Sequence, residues 1–435
     1  MSKKFKKINV ITLGCSKNLV DSEVLLKQLK ANNLIVEHNS NNTGFDTVII
    51  NTCGFIDDAK QESIDLILDY ANAKKQGLIN NLFVMGCLSE RYKDELKNEI
   101  PEVDEYFGSN NLKDIINTFE IDYKKELIGE RLLTTPKHYA YLKISEGCDR
   151  TCSYCAIPLM RGKYKSKTIE TVIAEAEFLV KQGVKELILI AQDLSYYGLD
   201  IYKEHKLAEL ITKLSDIKGV EWIRIHYTYP TNFPYDILNV MSEKDNVCNY
   251  LDIAFQHISD NMLNLMRRNI TKQETYDLIM RIRETVPNIA IRTTLLVGHP
   301  GETEQDFEEL KQFVKDVKFD RLGVFTYSHE EDTYAYNNYE DDITEAVKQE
   351  RADKIMEIQQ QISQELNSNK IGKYFNVIID REEGDYFVGR TEFDSPEVDD
   401  EVLVLKENFE IKIGEFYKVE IISSDDYDLY AKFIT

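Results

Sequence analysis

Three cysteines in the middle of the chain, Cys148-x-x-x-Cys152-x-x-Cys155, constrain its fold and chemistry more than any other feature. This central trio directly follows a predicted strand, Tyr141–Ser145, and so lies on a tight loop. Three thiolates on such a loop can hold three corners of an iron–sulfur cube. No fourth cysteine follows nearby in the sequence, so one iron would stay open to a substrate, as in catalytic metal sites. A zinc knuckle is the alternative, but it usually needs a fourth Cys or His.

A second set of cysteines, Cys15, Cys53 and Cys87, shares one topological position and is called here the N-terminal trio. Each comes just past the carboxyl end of a predicted parallel strand and before a predicted helix. Ligands of open parallel sheets bind at that edge, so the three thiols could converge on one metal centre. The alternative is that each is a small buried core residue, the commoner fate of a free cysteine. Cys248, on a predicted helix-to-strand link, has no partner and indicates ordinary packing.

A glycine-rich turn, Leu296–Thr303, ends the fifth predicted strand of the middle region. Its residues Gly298, Pro300 and Gly301 lie where the catalytic face of a barrel is expected, and glycines there let the backbone approach a ligand closely. The alternative is a tight strand-to-helix turn in which Thr303 is the N-cap.

The length of 435 residues corresponds to about three domains. In residues 1–125, strand and helix patterns alternate, which predicts an α/β domain with a parallel sheet. After a predicted linker, 126–138, six strand–helix units in 139–370 predict a partial (β/α) barrel. Short alternating strands in 371–435 predict a small antiparallel β-barrel.

The chain is acidic, with 53 basic and 76 acidic residues and a net charge of −23. Residues 371–435 hold 7 basic and 17 acidic residues, and are the most acidic region for their length. Phosphate backbones are neutralised by Lys and Arg, so this composition is poorly suited to binding nucleic acid broadly. A basic protein is a better electrostatic match, unless these acids are only a solvated surface.

The sequence predicts a cytoplasmic chain without a membrane span. No run of 18 or more apolar residues exists, so no spanning helix is expected. The basic start, Lys3, Lys4, Lys6 and Lys7, is not followed by an apolar signal core, so secretion is not expected. An odd, sparse set of seven cysteines also differs from a disulfide framework.

Together, these signals resemble the radical S-adenosylmethionine (SAM) superfamily, and within it the methylthiotransferases. The central trio looks like the superfamily motif, while the N-terminal trio and the acidic last domain are similar to the methylthiotransferases. The resemblance covers nearly the whole chain. It implies an N-terminal methylthiotransferase domain, a radical SAM barrel and a C-terminal TRAM domain.

Two segments are most similar to the branch of this family that methylthiolates an aspartate of small-subunit ribosomal protein S12. Segment Leu13–Glu23 carries Ser16–Lys17 where the tRNA-modifying relatives usually have Gln-Met. Segment Pro158–Gly162 lacks the Tyr-Thr that the tRNA enzymes tend to have before their Arg-Gly pair. The chain departs from the family pattern at Ala254 and His299, where Pro and Phe are usual, and neither departure removes a ligand.

By this resemblance, the central trio would bind a 4Fe–4S cluster whose open iron chelates SAM, and one electron would cleave SAM to methionine and a 5′-deoxyadenosyl radical. The N-terminal trio would hold a second 4Fe–4S cluster that carries the sulfur, which a second SAM methylates. The radical would take a hydrogen from the β-carbon of the target aspartate, and the methylthio group would join that carbon. The other residues expected to contact SAM or substrate are Tyr154, Gln192, Asp193, Gly298, Pro300 and Gly301.

The partners implied are ribosomal protein S12, free or on the small subunit, and an electron donor such as flavodoxin or ferredoxin; tRNA is not expected. The alternatives are a tRNA methylthiotransferase with the same chemistry, a non-catalytic iron–sulfur carrier or scaffold, and a structural zinc protein. Three histidines, His226, His257 and His299, are predicted at strand ends facing the mouth of the site, as substrate contacts or structural residues. The acidic loop His329–Asp342 is predicted to be solvated.

Overall fold

The computed structural model describes residues 7–406 and 410–434. Lys3, Lys4 and Lys6 of the predicted basic start lie outside the described residues, as do four residues of the last predicted domain, 407–409 and 435. Across the described part of the chain, no helix combines the length and apolar character that a membrane crossing requires.

The first region folds into a parallel five-stranded sheet with helices on both faces. Its strands are β1 (Lys7–Thr12), β2 (Ile35–His38), β3 (Thr47–Thr52), β4 (Asn81–Gly86) and β5 (Glu105–Tyr106), and its helices are α1 (Ser16–Ala31), α2 (Asp57–Lys75), α3 (Cys87–Arg91), α4 (Lys93–Glu99) and α5 (Leu112–Thr118). The strand order is β2-β1-β3-β4-β5, and every pair is parallel. Separate apolar clusters under α1 and α5 and under α2 to α4 bury the two faces, which confirms the predicted α/β fold.

The middle region is an open, parallel six-stranded sheet in the order β13-β12-β11-β10-β9-β6, as predicted for a partial barrel. Its strands are β6 (Tyr139–Lys143), β7 (Ser145–Glu146), β8 (Lys165–Ser166), β9 (Glu186–Ile190), β10 (Trp222–Thr228), β11 (Val247–Ile253), β12 (Ala290–Val297) and β13 (Arg321–Thr326), with β7 and β8 forming a separate antiparallel pair. Its helices are α6 (Ile157–Arg161), α7 (Ile169–Lys181), α8 (Leu207–Ser215), α9 (Asp236–Glu243), α10 (Asp260–Leu265), α11 (Lys272–Thr285), α12 (Glu304–Val317), α13 (Tyr334–Asn338) and α14 (Glu345–Ser368).

The last region is a closed five-stranded barrel in the order β14-β15-β16-β18-β17. Its strands are β14 (Tyr374–Glu383), β15 (Tyr386–Arg390), β16 (Val402–Leu405), β17 (Phe416–Ser424) and β18 (Leu429–Phe433). The barrel is not wholly antiparallel as predicted, because β16 and β18 run parallel. Closure removes the exposed strand edges that a small sheet would otherwise present.

One loop of the small barrel, 391–400, enters the amino-terminal side of the open (β/α) barrel. Asp394 and Asp400 pair with Arg321 at the start of β13, and Asp399 accepts hydrogen bonds from Arg292 Nε at 3.2 Å and from the Tyr250 hydroxyl at 2.8 Å. All three aspartates are engaged inside the protein, so they do not add to the acidic surface expected to attract a basic partner. Some acidic residues of this domain therefore make internal structural contacts, and composition alone did not distinguish them from acidic residues on the surface.

The structure corrects three local predictions. Cys248 lies within strand β11 and not on a link, although it is buried in an apolar cluster as expected. His226 lies within β10, where its Nε2 is 2.8 Å from the Ser395 hydroxyl of the inserted loop. The loop His329–Asp342 is not simply solvated, because Glu330 is buried against the first domain.

A fully buried ion triad joins the two barrels. Glu186 Oε1 is 2.7 Å from Arg224 Nε, and Glu186 Oε2 is 2.8 Å from Arg390 Nη2. Burial alone would raise the pKa of Glu186, but the two guanidinium groups hold it below its ordinary value. The carboxylate therefore stays charged, and together with Asp380, which lies 2.6 Å from Arg390 Nε, it balances the charges of the two buried arginines.

We predict that Glu186→Gln lowers the free energy of unfolding by about 3–5 kcal/mol, because it leaves buried guanidinium charge uncompensated. Chemical denaturation of the purified chain measures this change. Glu350→Gln, which removes an exposed partner of Lys354, serves as the control and should leave the midpoint unchanged. A Glu186→Gln midpoint equal to that of the control would contradict the prediction.

Candidate active site

The central trio lies on the loop between β7 and α6, at the carboxyl ends of the barrel strands. Gly147, just before Cys148, has a φ of +76°, and a Cβ there would be 2.1 Å from the carbonyl oxygen of Lys163. Only glycine fits this position, and its absence of a side chain lets the loop fold back on itself. The amide of Cys148 then donates to the Gly162 carbonyl at 3.1 Å.

The thiols of this loop lie close enough to influence one another's ionisation. Burial raises the pKa of Cys148 to about 12 and also raises the pKa of Cys155. The buried thiols therefore ionise only when a cation compensates the charge, as iron does for its thiolate ligands. Within residues 7–406 and 410–434, no group of three or more His, Cys, Asp or Glu side chains could hold a single metal ion. A cubane is wider than an ion, and three thiols without a fourth ligand fit such a cluster with one open iron.

A buried arginine and a tyrosine flank Cys152. Arg268 Nη1 is 3.3 Å from Cys152 Sγ and 3.3 Å from the Tyr154 hydroxyl, and the Tyr229 hydroxyl is 3.5 Å from the same sulfur. The guanidinium also lies 4.0 Å from the centre of the Tyr229 ring. This positive charge offsets the negative charge that a thiolate-bound cluster brings into a site shielded from water.

Arg268 was not predicted from the sequence, because it follows α10 and lies more than a hundred residues from the cysteine loop. No local pattern separates it from its neighbour Arg267, which is only half-buried. Its place in the sequence, after the helix α10 that follows β11, gives no signal of a contact with Cys152.

Three of the residues predicted to contact SAM or substrate lie around this loop. Tyr154 is within the loop and packs with the apolar cluster that includes Met266 and Leu296. Gln192 Nε2 donates to Glu146 at 3.0 Å, while its Oε1 is buried without a partner among the described residues. Asp193 is already engaged, because it pairs with Arg150 at 2.7 Å and accepts from the amide of Ser195 at 2.8 Å. A ligand role stays a prediction for all three, and the free carboxamide oxygen favours Gln192.

The glycine turn is tight, and both of its glycines adopt a positive φ. Gly298 and Gly301 have φ values of +77° and +83°, and a Cβ on Gly298 would be 2.3 Å from Lys348 Cγ. Glu302 fixes the turn by accepting from the Gly298 amide at 2.6 Å. Thr303 caps α12 through a capping box, as the alternative interpretation proposed. The capping geometry does not test whether Gly298, Pro300 and Gly301 approach SAM, so this contact stays a prediction.

The three histidines have structural partners. His257 Nε2 is 3.0 Å from Glu302, His299 Nε2 is 2.9 Å from the Ser153 hydroxyl, and His226 meets the inserted loop. Burial lowers the pKa of His299 to about 4, so this ring is neutral near pH 7. His299 therefore supports the cysteine loop through Ser153.

The N-terminal trio lies at one edge of the first sheet. Cys15 precedes α1, Cys53 follows β3, and Cys87 begins α3 directly after β4. The loops touch, since a Cβ on Gly14 would be only 2.7 Å from Cys53 Cβ. Burial raises the pKa of Cys53 and that of Cys87, the latter to about 12. The three thiols also influence one another's ionisation. The structure therefore brings them together, as their shared position after three parallel strands predicted.

Asn18 holds the N-terminal loops in register. Its Nδ2 donates to the carbonyl oxygens of Leu13 at 2.9 Å and Thr52 at 3.1 Å, which belong to the loops of Cys15 and Cys53. Its own carbonyl accepts from Asn51 Nδ2 at 2.9 Å. The residue is completely buried, so these bonds replace water contacts and fix the loops.

The two trios are joined by packing between the first domain and the barrel. Cys87 at the start of α3 packs with Ala156, Ile157 and Met160 of the segment that follows Cys155. On the other side, Glu330 Oε2 binds Lys60 at 3.0 Å and Arg91 at 2.6 Å across the same domain boundary. The structure thus presents two sets of three thiols on two sheet edges that meet.

Family models match three parts of the chain. Residues 7–108 match the uncharacterized protein family UPF0004, residues 142–314 match the radical SAM superfamily, and residues 371–434 match the TRAM domain. Solved structures support the same fold. The chain is similar to the radical SAM methyltransferase TsrM from Kitasatospora setae, with a TM-score of 0.56 and 14% identity over 73% of this chain and 72% of that chain. It is also similar to the cobalamin-dependent enzyme OxsB, with a TM-score of 0.51 and 13% identity over 82% of this chain and 56% of that one.

Curated relatives match the chain along its full length. The protein of Bacteroides thetaiotaomicron named ribosomal protein uS12 methylthiotransferase RimO is 58% identical over 431 residues, which cover 99% of both chains. The protein of the same name from Christiangramia forsetii is 59% identical over 99% of this chain and 95% of its own length. With this identity over the whole length, the chain belongs to the RimO family of radical SAM methylthiotransferases.

Proposed function

We propose that this chain adds a methylthio group to the β-carbon of an aspartate of ribosomal protein uS12, using two 4Fe–4S clusters and SAM. The observation that carries the proposal is the meeting of two sheet edges that each carry three thiols, of which Cys53, Cys87 and Cys148 are buried. Each trio leaves one position of a cluster without a protein thiolate, one for SAM and one for the sulfur to be delivered. The name printed for full-length relatives supplies the substrate, ribosomal protein uS12.

When bound, the clusters and SAM supply the one-electron cleavage and the sulfur transfer that the reaction needs. The chain itself holds these groups and keeps water away from them. Gly147 and Gly298 allow tight turns around the site, and Arg268 with Tyr229 fixes Cys152 and offsets its charge. Gln192 offers its free Oε1 to a polar donor such as the amino group of SAM.

The substrate and the chemistry also imply the surroundings in which the protein works. A ribosomal protein is made and assembled in the cytoplasm, where the buried thiols stay reduced. The single electron must come from a low-potential carrier, for which flavodoxin or ferredoxin is suitable. A tRNA substrate is the second candidate within the same chemistry, and the experiment on uS12 below decides between them.

We predict about eight irons per chain after anaerobic reconstitution of the wild-type protein, since each 4Fe–4S cluster contains four. Replacing all three cysteines of either trio by Ala should leave about four, held by the other trio. Iron and sulfide analysis with Mössbauer spectroscopy measures both values. Cys248→Ala is the matched control, because Cys248 is a buried cysteine outside both trios, and it should keep the wild-type content.

An unchanged iron content after loss of the N-terminal trio would contradict the second cluster. Zinc in place of iron in the wild-type protein would contradict both clusters and favour a structural zinc protein.

We predict that deletion of the gene removes one methylthio group from uS12, as measured by intact-mass spectrometry of the ribosomal proteins. The wild-type gene and Cys248→Ala should restore the modification, whereas Cys148→Ala should not, because it removes a predicted cluster ligand. An unmodified uS12 in the parent strain, with a methylthio nucleoside in its tRNA that the deletion abolishes, would assign the tRNA reaction instead.

A further inference from the structure

Arg161 is a residue of the barrel whose side chain reaches the N-terminal trio. It ends α6, six residues after Cys155, and its side chain is nearly fully buried at the domain boundary. Its Nε donates to Cys87 Sγ at 3.2 Å, and its Nη2 donates to the side-chain oxygen of Asn18. Asn18 is the residue that holds the loops of Cys15 and Cys53. The Arg161 guanidinium, which belongs to the second domain, therefore contacts both the sulfur of Cys87 and Asn18, the residue that holds the loops of the other two cysteines.

The remaining nitrogen of Arg161 faces charged groups that fix its position. Its Nη1 is 2.7 Å from Asp21 and 3.4 Å from Glu146, and Lys143 binds the same two carboxylates. Two positive and two negative side chains thus balance within the cluster. Because the net charge is compensated, the hydrogen bond from Nε to Cys87 is the specific effect of Arg161 on the trio.

The same network continues to the central trio. Glu146 lies two residues before Cys148, and its Oε1 accepts from Gln192 at 3.0 Å. A chain of contacts therefore runs from Cys87 through Arg161 and Glu146 to Gln192 at the other site. Arg161 and the central trio also share one short segment of backbone, so the loop that forms one site positions a donor in the other.

We propose that Arg161 is a positioning residue of the N-terminal cluster: it orients Cys87 and, through its hydrogen bond to that sulfur, raises the reduction potential of the cluster. The inference rests on the proposed second cluster. Hydrogen bonds to cluster sulfurs are among the factors that set such potentials, and a donor stabilises the additional negative charge of the reduced state. Since the donor comes from the barrel, the N-terminal site is complete only when the two domains are docked.

The test isolates the N-terminal cluster in the full-length chain by replacing Cys148, Cys152 and Cys155 with Ala. After anaerobic reconstitution, a redox titration monitored by electron paramagnetic resonance gives the potential of the remaining cluster. In this background, Arg161→Gln should make reduction at least tenfold less favourable, which is a shift of about 59 mV to lower potential for one electron. An unchanged potential in Arg161→Gln would overturn the proposal.

Arg131→Gln is the matched control. Arg131 is an equally buried arginine at the domain boundary that binds Glu23 at 3.1 Å, Glu175 at 3.5 Å and the carbonyl of Tyr141. Among the described residues, none of its hydrogen bonds or ion pairs involves a cysteine. It should leave the potential at the value of the background protein. An equal shift in Arg131→Gln would assign the effect to loosened domain docking and overturn the proposal.

The iron content of the variants distinguishes the remaining outcomes. If Arg161→Gln loses its iron while Arg131→Gln keeps it, the positioning role is supported. The reduction potential is then measured on the Arg161→Lys variant. Lys keeps the charge but lacks the planar fork, so its cluster should be harder to reduce than that of the background protein, and an unchanged potential would overturn the proposal. Absence of iron from the background protein itself would instead contradict the second cluster of the proposed function.

Discussion

The organisation of this protein depends on the packing of two parallel sheets so that the carboxyl edge of one meets the cysteine loop of the other. Cys87 at the start of α3 lies against the segment that follows Cys155, and Arg161 spans the contact. Burial raises the pKa of Cys87 and that of Cys148, so their thiolate forms need a compensating cation such as cluster iron. The site is therefore a property of the assembled domains, since the loops of each trio contact groups from outside their own sheet edge.

Internal electrostatics keep the domains assembled in a chain with a net charge of −23. Arginines carry the positive side of several buried pairs, as in the Arg224–Glu186–Arg390 triad and in the contacts of Arg321 with the inserted loop. Removing such pairs from water costs free energy. They nevertheless specify one docking geometry of the domains, because a displaced partner would leave a buried charge unpaired. The acidic TRAM domain contributes to this geometry as well as to the surface.

The sequence predicted the parallel sheets, the small barrel and the sheet-edge position of all six cysteines, because these follow from local hydrophobic patterns and short spacings. It did not predict the partners of those cysteines. Arg161 and Arg268 reach their sulfurs through contacts between distant segments. Arg161 belongs to the Arg-Gly pair of the segment that resembles the family, but the local sequence does not show that either side chain contacts a sulfur. The burial of Glu330 was missed for the same reason, since it depends on Lys60 and Arg91 of another domain.

The central claim is that the two trios have different roles in one reaction, and incubation of the purified protein with uS12, SAM and a strong reductant tests it most directly. The measurement compares 5′-deoxyadenosine with methylthiolated uS12 in the wild-type protein and in a variant whose N-terminal trio is replaced by Ala. We expect both products from the wild-type protein, and 5′-deoxyadenosine without methylthiolation from the variant. Methylthiolation of uS12 by the variant, or the absence of 5′-deoxyadenosine from the wild-type reaction, would contradict it.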